Sequence, residues 1–167
     1  RGTRGQGPGA GATVTDPSAG STAQLPQPRP MPVTIPGHLF GQLPFYDVLE
    51  TEDTVIVDLH NRPDIMNVRG ALQGGLVATL IDVAAGRLAF AVADVGSGVS
   101  TADMTIHFLA PVMTGPARAV ANLVRRGRRT IVVGVDVFDV GGDRIAARAT
   151  LSFAVVSPRG DQLAATP

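Results

Sequence analysis

One long apolar segment, residues 74–93, constrains the fold of this chain more than any other feature. It is the only long stretch without a strand-like alternation or a proline, and it is rich in Ala and Leu. Between residues 76 and 93 only Asp82 and Arg87 are charged. A helix that is apolar almost all round is normally a buried one. The sequence therefore predicts a single long helix at the centre of the fold.

Segments on both sides of this helix alternate between apolar and other residues with the period of a β-strand. One precedes the helix, and four follow it, at residues 54–60, 101–109, 117–125, 130–140 and 144–155. Each shows one apolar face, as in an antiparallel sheet that is covered on one side. We therefore predict an α+β fold in which one helix packs against one antiparallel sheet. A short helix is also compatible with residues 37–43.

The composition changes sharply near residue 37. Residues 1–36 are rich in Gly, Pro, Ser, Thr, Ala and Gln and contain few apolar side chains. Such a segment cannot bury enough apolar area to offset the entropy lost on ordering it. We predict a flexible Pro- and Gly-rich extension over residues 1–36, one domain over residues 37–156 and a tail over residues 157–167. The extension lacks the apolar stretch of a signal peptide, and we expect a cytoplasmic protein.

The composition excludes several kinds of site. The 167 residues contain 14 basic residues, all of them Arg, and 14 acidic ones, but no Cys. Without Cys there is no disulfide, zinc–thiolate site or cysteine nucleophile. The net charge of zero gives no support to nucleic-acid binding. His38, His60 and His107 are scattered without the spacing of a metal site, so we expect neither a metal nor another cofactor.

Asp82 lies in the middle of the apolar helix, where burying an unpaired carboxylate is costly. Arg87 lies five residues further on, which is off the spacing of three or four at which helical side chains meet. We favour a functional role for the Asp82 carboxylate. The alternatives are an ion pair with a residue outside the helix and a position at a solvated edge of the helix. The two charges in mid-span and the strands that follow also argue against a membrane-spanning helix.

Gly74 and Gly75 mark the start of the predicted helix. The free N–H groups and the dipole of such a helix end favour an oxyanion or a phosphate, although a Gly-Gly pair can also simply form a turn. Asp82 lies about 12 Å beyond Gly74 along the helix axis, at 1.5 Å per residue. One helix therefore cannot bring both groups to one carbonyl, whereas two antiparallel helices across a twofold axis can. An enzyme built on these residues would be a homodimer with shared active sites.

The helix start belongs to a longer pattern, which consists of Asn67, Gly70, Gln73, Gly74, Gly75 and Asp82. Together with residues 100–111, this pattern resembles the motif of the hotdog-fold thioesterases, in particular the phenylacetate-pathway (PaaI-like) acyl-CoA thioesterase family. The resemblance covers about residues 38–155. It implies a hotdog fold, in which an antiparallel sheet wraps around one long central helix, and a dimer or a dimer of dimers. The implied activity is hydrolysis of an acyl-CoA thioester to free acid and CoA.

The resemblance also implies roles for individual residues. Asp82 matches the acidic nucleophile or general base, and Gly74 matches the residue whose N–H polarises the thioester carbonyl. Asn67 matches a residue that helps position substrate or water. Ser100 or Thr101 falls near the family's hydroxyl that orients the water.

Gln73 departs from the family, which commonly has His at this place. Gln can donate and accept hydrogen bonds, but it cannot titrate near neutral pH. Gln73 could therefore orient the loop or contact the thioester without serving as acid or base. Because hotdog hydratases need a catalytic His at this place, we rank a hydratase function below a thioesterase function. The departure leaves open a non-catalytic hotdog module that binds an acyl-CoA or acyl-carrier ligand.

A cluster of arginines surrounds the predicted turn between two strands, at Arg125, Arg126, Arg128 and Arg129. In a thioesterase these side chains could hold the phosphates of CoA, and a solvated turn is the alternative. A nucleic-acid patch is less favoured, because the arginine cluster contains no aromatic residue.

Gly75, which follows Gly74 at the start of the predicted helix, is predicted to contact the substrate as well.

Overall fold

The computed structural model describes residues 24–32 and 35–156. The helices are α1 (Leu39–Gln42) and α2 (Gly74–Val92). The strands are β1 (Arg29–Pro30), β2 (Phe45–Glu50), β3 (Thr54–Leu59), β4 (Gly98–Phe108), β5 (Ala117–Arg126), β6 (Thr130–Asp139) and β7 (Arg144–Val156). They form an antiparallel sheet in the order β1-β2-β3-β5-β6-β7-β4. The predicted α+β architecture, with one long helix against one antiparallel sheet, is confirmed.

Helix α2 packs against the inner face of the sheet through one of its sides. This buried side consists of Val77, Leu80, Ile81, Ala84, Ala85, Leu88 and Ala89. Buried alanines of β5, from Ala117 to Ala121, alternate along the facing strand, and their small side chains let the helix approach closely. By length and composition alone α2 could also cross a membrane. Its other side stays partly open, with Phe90 64% exposed, so one copy of the chain covers only half of this apolar helix.

The sequence patterns did not predict β2, because a β-bulge disguises it. The pairing of β2 with β3 shifts between Asp47 and Leu49, which makes Val48 an extra residue in the strand. Phe45 and Val48 are both buried. A spacing of three between buried residues does not match the alternation that identifies a strand.

Part of the predicted flexible extension packs on the sheet. β1 pairs with β2 at the sheet edge, and the Met31 N–H donates to the Phe45 carbonyl at 3.0 Å. Leu25 packs on an apolar cluster that contains Val48, Ile56 and Val120. Pro30 is compatible with this place, because an edge strand leaves some N–H positions without a partner.

The extension predicted over residues 1–36 therefore needs a correction for residues 24–32. Composition cannot reveal that the isolated apolar side chains of Leu25 and Met31 find partners on the sheet. The remaining parts of the predicted extension and tail lie outside the described residues, at 1–23, 33–34 and 157–167.

Asp139, at the end of β6, holds the loop between β4 and β5. Its buried carboxylate accepts hydrogen bonds from the backbone N–H groups of Met113, Thr114 and Gly115 at 3.0, 3.2 and 2.6 Å. The Arg144 guanidinium adds a fourth at 3.1 Å. Burial alone raises the pKa of Asp139, but these four donors together bring that pKa below its ordinary value.

We expect Asp139→Asn to lower the free energy of unfolding by about 1–3 kcal/mol, because the new amide N–H₂ faces backbone donors. The depressed pKa means that the wild-type carboxylate stabilises the fold above its ordinary pKa of 3.8. This contribution is lost as the pH falls through the folded-state pKa. Urea unfolding of both proteins should therefore show a large difference at about pH 7 and a smaller one at about pH 3. A difference that does not change with pH would contradict this role.

Candidate functional site

Asp82 and Thr101 meet between α2 and β4. The Thr101 hydroxyl donates to Asp82 Oδ1 at 2.9 Å, and Asp82 is half-buried. The pairing of β4 with β7 shifts between Thr101 and Asp103, so Ala102 is an extra residue in a second bulge. The bulge places Thr101 on the same side of the strand as Met104, whereas regular alternation predicted opposite sides. β-Bulges are frequent next to active sites.

The sequence left open whether Ser100 or Thr101 supplies the hydroxyl near Asp82. The structure brings Thr101 to the carboxylate. Ser100 is the preceding residue of β4, and successive side chains of a strand point to opposite faces. Within one chain Ser100 therefore lies away from Asp82, and its role at the site stays a prediction.

Arg87 does not pair with Asp82. Its guanidinium forms ion pairs with Asp47 and Glu50 of β2. In the part of the chain that the structure describes, no cation lies within ion-pair distance of Asp82. The carboxylate thus has a neutral hydroxyl as its side-chain partner, which leaves an oxygen available for a proton or a substrate.

The start of α2 presents free backbone donors. Gln73 precedes the helix with extended backbone angles (φ −61°, ψ 132°), and its side chain makes no capping hydrogen bond. The first helical hydrogen bonds run from the N–H groups of Leu76 and Val77 to the Gln73 carbonyl, at 2.9 and 3.1 Å. The N–H groups of Gly74 and Gly75 precede them and have no acceptor inside the helix. Both glycines are exposed, so an oxyanion can reach these donors at the positive end of the helix dipole.

Asn67 shapes the loop that leads into the helix. Its Oδ1 accepts from the N–H groups of Arg69 and Ala71 at 2.9 and 3.2 Å. Between them, Gly70 has a φ of +74°, a conformation that favours glycine. The Asn67 oxygen is therefore occupied by the turn, and its amide N–H₂ is the part that remains for the predicted contact with substrate or water.

The predicted site residues lie at three places along α2 within one chain, which are the start of the helix, Asp82 with Thr101, and the arginine hairpin. Asp82 lies two turns beyond Gly74 on the same helix, at the predicted separation of about 12 Å. The arginine hairpin lies at the other end of α2, which is about 15 Å beyond Asp82. There Arg126 pairs with Asp94 at 2.8 Å, beside a hollow of about 150 Å³.

The rest of the arginine cluster keeps its charges available. Arg128 lines the same hollow as Arg126. Among the described residues, no carboxylate lies within ion-pair distance of Arg125, Arg128 or Arg129. These side chains cannot reach a thioester at Asp82, so they could contact only a distant part of a long substrate.

Sequence reasoning missed Phe108 as a site residue and assigned it only to the apolar face of its strand. The structure places its ring beside the start of α2, where a Cβ atom on Gly74 would lie 3.8 Å from the ring. No local pattern could have shown this, because the contact depends on how β4 crosses the helix.

The three histidines have separate surroundings. His38 caps α1 by accepting from the Phe40 N–H at 3.2 Å, and the His60 ring packs on Tyr46 with ring centroids 4.3 Å apart. His107 is exposed on β4. The described residues contain no group of three or more metal-ligating side chains that could hold a metal ion.

The part of the chain that holds most of this arrangement is similar to known proteins. Residues 69–146 match the family model of the Thioesterase superfamily, a range that includes the start of α2, Asp82 and Thr101. A Saccharolobus solfataricus protein that is provisionally named an esterase is 29% identical over 101 residues, which are 60% of this chain and 71% of that protein.

Two solved structures extend the comparison. A thioesterase from Haemophilus influenzae superimposes with a TM-score of 0.65 at 19% identity, over 71% of this chain and 82% of that chain. A Bacillus halodurans protein crystallised with CoA is 32% identical, with a TM-score of 0.57 over 60% of this chain and 66% of that chain. Together these findings identify the chain as a hotdog-fold protein, and residues 69–146 are similar to the Thioesterase superfamily.

Proposed function

We propose that the protein is an acyl-CoA thioesterase of the PaaI-like kind, which hydrolyses the thioester to a free acid and CoA. The observation that carries this proposal is the half-buried Asp82 on a helix that begins with two N–H groups free of helical acceptors. Among the described residues, the side chain that pairs with Asp82 is Thr101. The carboxylate and the helix start are the two parts that acyl transfer needs, a base or nucleophile and an oxyanion site. The CoA bound to the Bacillus halodurans relative supports CoA as the carrier.

The reaction follows from the chemistry of these groups. Asp82 takes a proton from water, and the water oxygen bonds to the carbonyl carbon. The Gly74 N–H holds the oxyanion that forms. The C–S bond then breaks, and the CoA sulfur leaves and takes up the proton. Direct attack by Asp82 on the carbonyl is the alternative route, with water hydrolysing the resulting anhydride.

The site requires two copies of the chain. Asp82 and Gly74 are about 12 Å apart on one helix, so we propose a homodimer, or a dimer of dimers, in which Asp82 acts with Gly74 of the partner subunit. The open edge of the sheet supports this, because β4 is the last strand on the side of Asp82 while β1 covers the opposite edge. The half of α2 that its own chain leaves open provides further apolar surface for a partner.

The arginine hairpin would bind the nucleotide end of CoA, away from the thioester. Replacing Arg125, Arg128 and Arg129 by Ala should raise the KM for acyl-CoA by roughly 10-fold or more, because charge-assisted hydrogen bonds to phosphate are among the stronger polar contacts. The kcat should stay close to wild type, since the hairpin is remote from Asp82. A matched substitution of Arg62, which pairs with Asp64 at 2.6 Å, serves as the control. An unchanged KM would contradict the phosphate role and favour a solvated turn.

A non-catalytic module that binds an acyl ligand is the second candidate, and Gln73 favours it. A panel of acyl-CoAs with a thiol reagent decides between the two. Release of free CoA by the full chain supports the hydrolase, and tight binding without release supports the module. We also propose a cytoplasmic protein that acts on free acyl-CoA, without a nucleic-acid or membrane partner.

A further inference from the structure

Phe108 stands directly over the start of α2. A Cβ atom on Gly74 would lie 3.8 and 3.9 Å from the Cε1 and Cζ atoms of the Phe108 ring. A Cβ atom on Gly75 would meet nothing within 4 Å. The Phe108 ring therefore limits the space beside Gly74, whereas the space beside Gly75 is open.

This bounded space adjoins the free backbone donors. The Cα–Cβ direction in a helix tilts toward the N-terminus, and the unpaired N–H groups of the first turn point the same way. The space between Gly74 and the Phe108 ring has room for one methyl-sized group in van der Waals contact with the ring. A substrate carbonyl whose oxygen accepts from the Gly74 N–H would place the atoms bonded to its carbonyl carbon in this space.

The backbone that carries the ring is fixed. Phe108 pairs with Ala147 at the end of the β4–β7 ladder, and the next N–H, that of Leu109, donates to the Ala146 carbonyl at 2.9 Å. Phe108 is 58% exposed, although its side chain lies on the inner side of the strand. An exposed aromatic ring on an anchored backbone is suited to contact a ligand rather than to fill the core.

We propose that Phe108 selects the acyl group by limiting the space at its α-carbon. This inference rests on the proposed thioesterase function. A straight acyl chain has two small hydrogens on the carbon next to the carbonyl and fits beside the ring. A branched α-carbon carries an additional methyl group, which must displace the ring or pull the carbonyl away from the Gly74 N–H.

Two isomeric substrates test the inference without a change in carbon count. Butyryl-CoA and isobutyryl-CoA differ only in branching at the α-carbon. Their binding is measured by titration calorimetry with the full-length Asp82→Asn protein, in which hydrolysis is suppressed. We expect butyryl-CoA to bind roughly 5- to 150-fold more tightly, the range typical of forcing a methyl group into a packed site.

Phe108→Ala in the same background should bring the two dissociation constants within about threefold of each other, by relaxing the restriction on isobutyryl-CoA. Phe108→Leu, which keeps an apolar side chain of intermediate size, should reduce the ratio of the two dissociation constants partly. This variant replaces Phe108→Ala in the test if the alanine variant fails to fold. Phe138→Ala is the matched control, because Phe138 packs on the apolar cluster of Val48, Ile56 and Val120, on the face of the sheet away from α2. It should keep the wild-type ratio.

Equal affinity for the two isomers in the parent protein, or an unchanged ratio in both Phe108 variants, would overturn the inference. Failure of the proposed function has a different signature. In that case the wild-type protein releases no CoA from any acyl-CoA, while the comparison of binding affinities still reports on Phe108.

Discussion

Asp82→Asn should reduce the turnover of acyl-CoA by about 10²- to 10⁴-fold, the usual contribution of a general base. Asparagine has nearly the same size, and its carbonyl oxygen can still accept the hydrogen bond of Thr101. The fold and the oligomer should therefore survive, because none of the described residues forms an ion pair with Asp82 that the substitution would break. Steady-state release of CoA, together with thermal unfolding, measures the two effects separately.

Asp103→Asn is the matched control for this substitution. Asp103 is an exposed residue of β4, and it lies on the opposite face of the strand from Thr101 as a result of the bulge. We expect turnover of this variant to equal that of the wild type. Near-normal turnover in Asp82→Asn would show that the carboxylate is not the base or nucleophile, and the role of Asp82 would have to be abandoned.

Gly74→Pro should lower kcat by about 10²- to 10³-fold relative to Gly74→Ala, which is the typical loss when one oxyanion donor is removed. Proline removes the N–H but suits the first position of a helix, where that N–H has no helical partner. Gln73 already has the extended backbone (φ −61°, ψ 132°) that a residue before proline requires. The substitution therefore deletes one donor with little disturbance of the helix.

The comparison with Gly74→Ala isolates the N–H from the added side chain. Both variants add a Cβ atom, which would lie 3.8 Å or more from Phe108, but only the alanine variant keeps the donor. Circular dichroism and thermal unfolding check that both retain α2. Equal kcat values in the two variants would exclude Gly74 as the oxyanion donor.

The central helix and the four strands that follow it were predictable, because their apolar residues repeat with regular periods. β2 was hidden, since the bulge at Val48 replaces alternation by a spacing of three. The packing of Leu25 and Met31 was hidden as well, because two isolated apolar residues in a Pro-rich segment carry no periodic signal. Regular patterns in a sequence thus identify regular elements, and bulges and edge contacts depend on the partner strand.

The site was predictable in its individual residues and less so in its geometry. Asp82 stood out as a charge in an apolar helix, and the Gly74-Gly75 pair stood out as a helix start. The contact between Asp82 and Thr101 depends on the bulge at Ala102, which reverses the expected face of the strand. Asp139 gave no signal, because its partners are backbone N–H groups of a loop that lies far from it in the sequence.

Mixing two inactive variants tests most directly whether Asp82 and Gly74 act together across two subunits. Asp82→Asn and Gly74→Pro chains with different affinity tags are produced in one cell, and CoA release by the mixture is measured. With random pairing, half of the dimers are hybrids and each hybrid has one intact site, so a shared site predicts about a quarter of the wild-type activity per subunit. A mixture that stays as inactive as its two parents would contradict a shared site, because the two residues would then act within one chain or not at all.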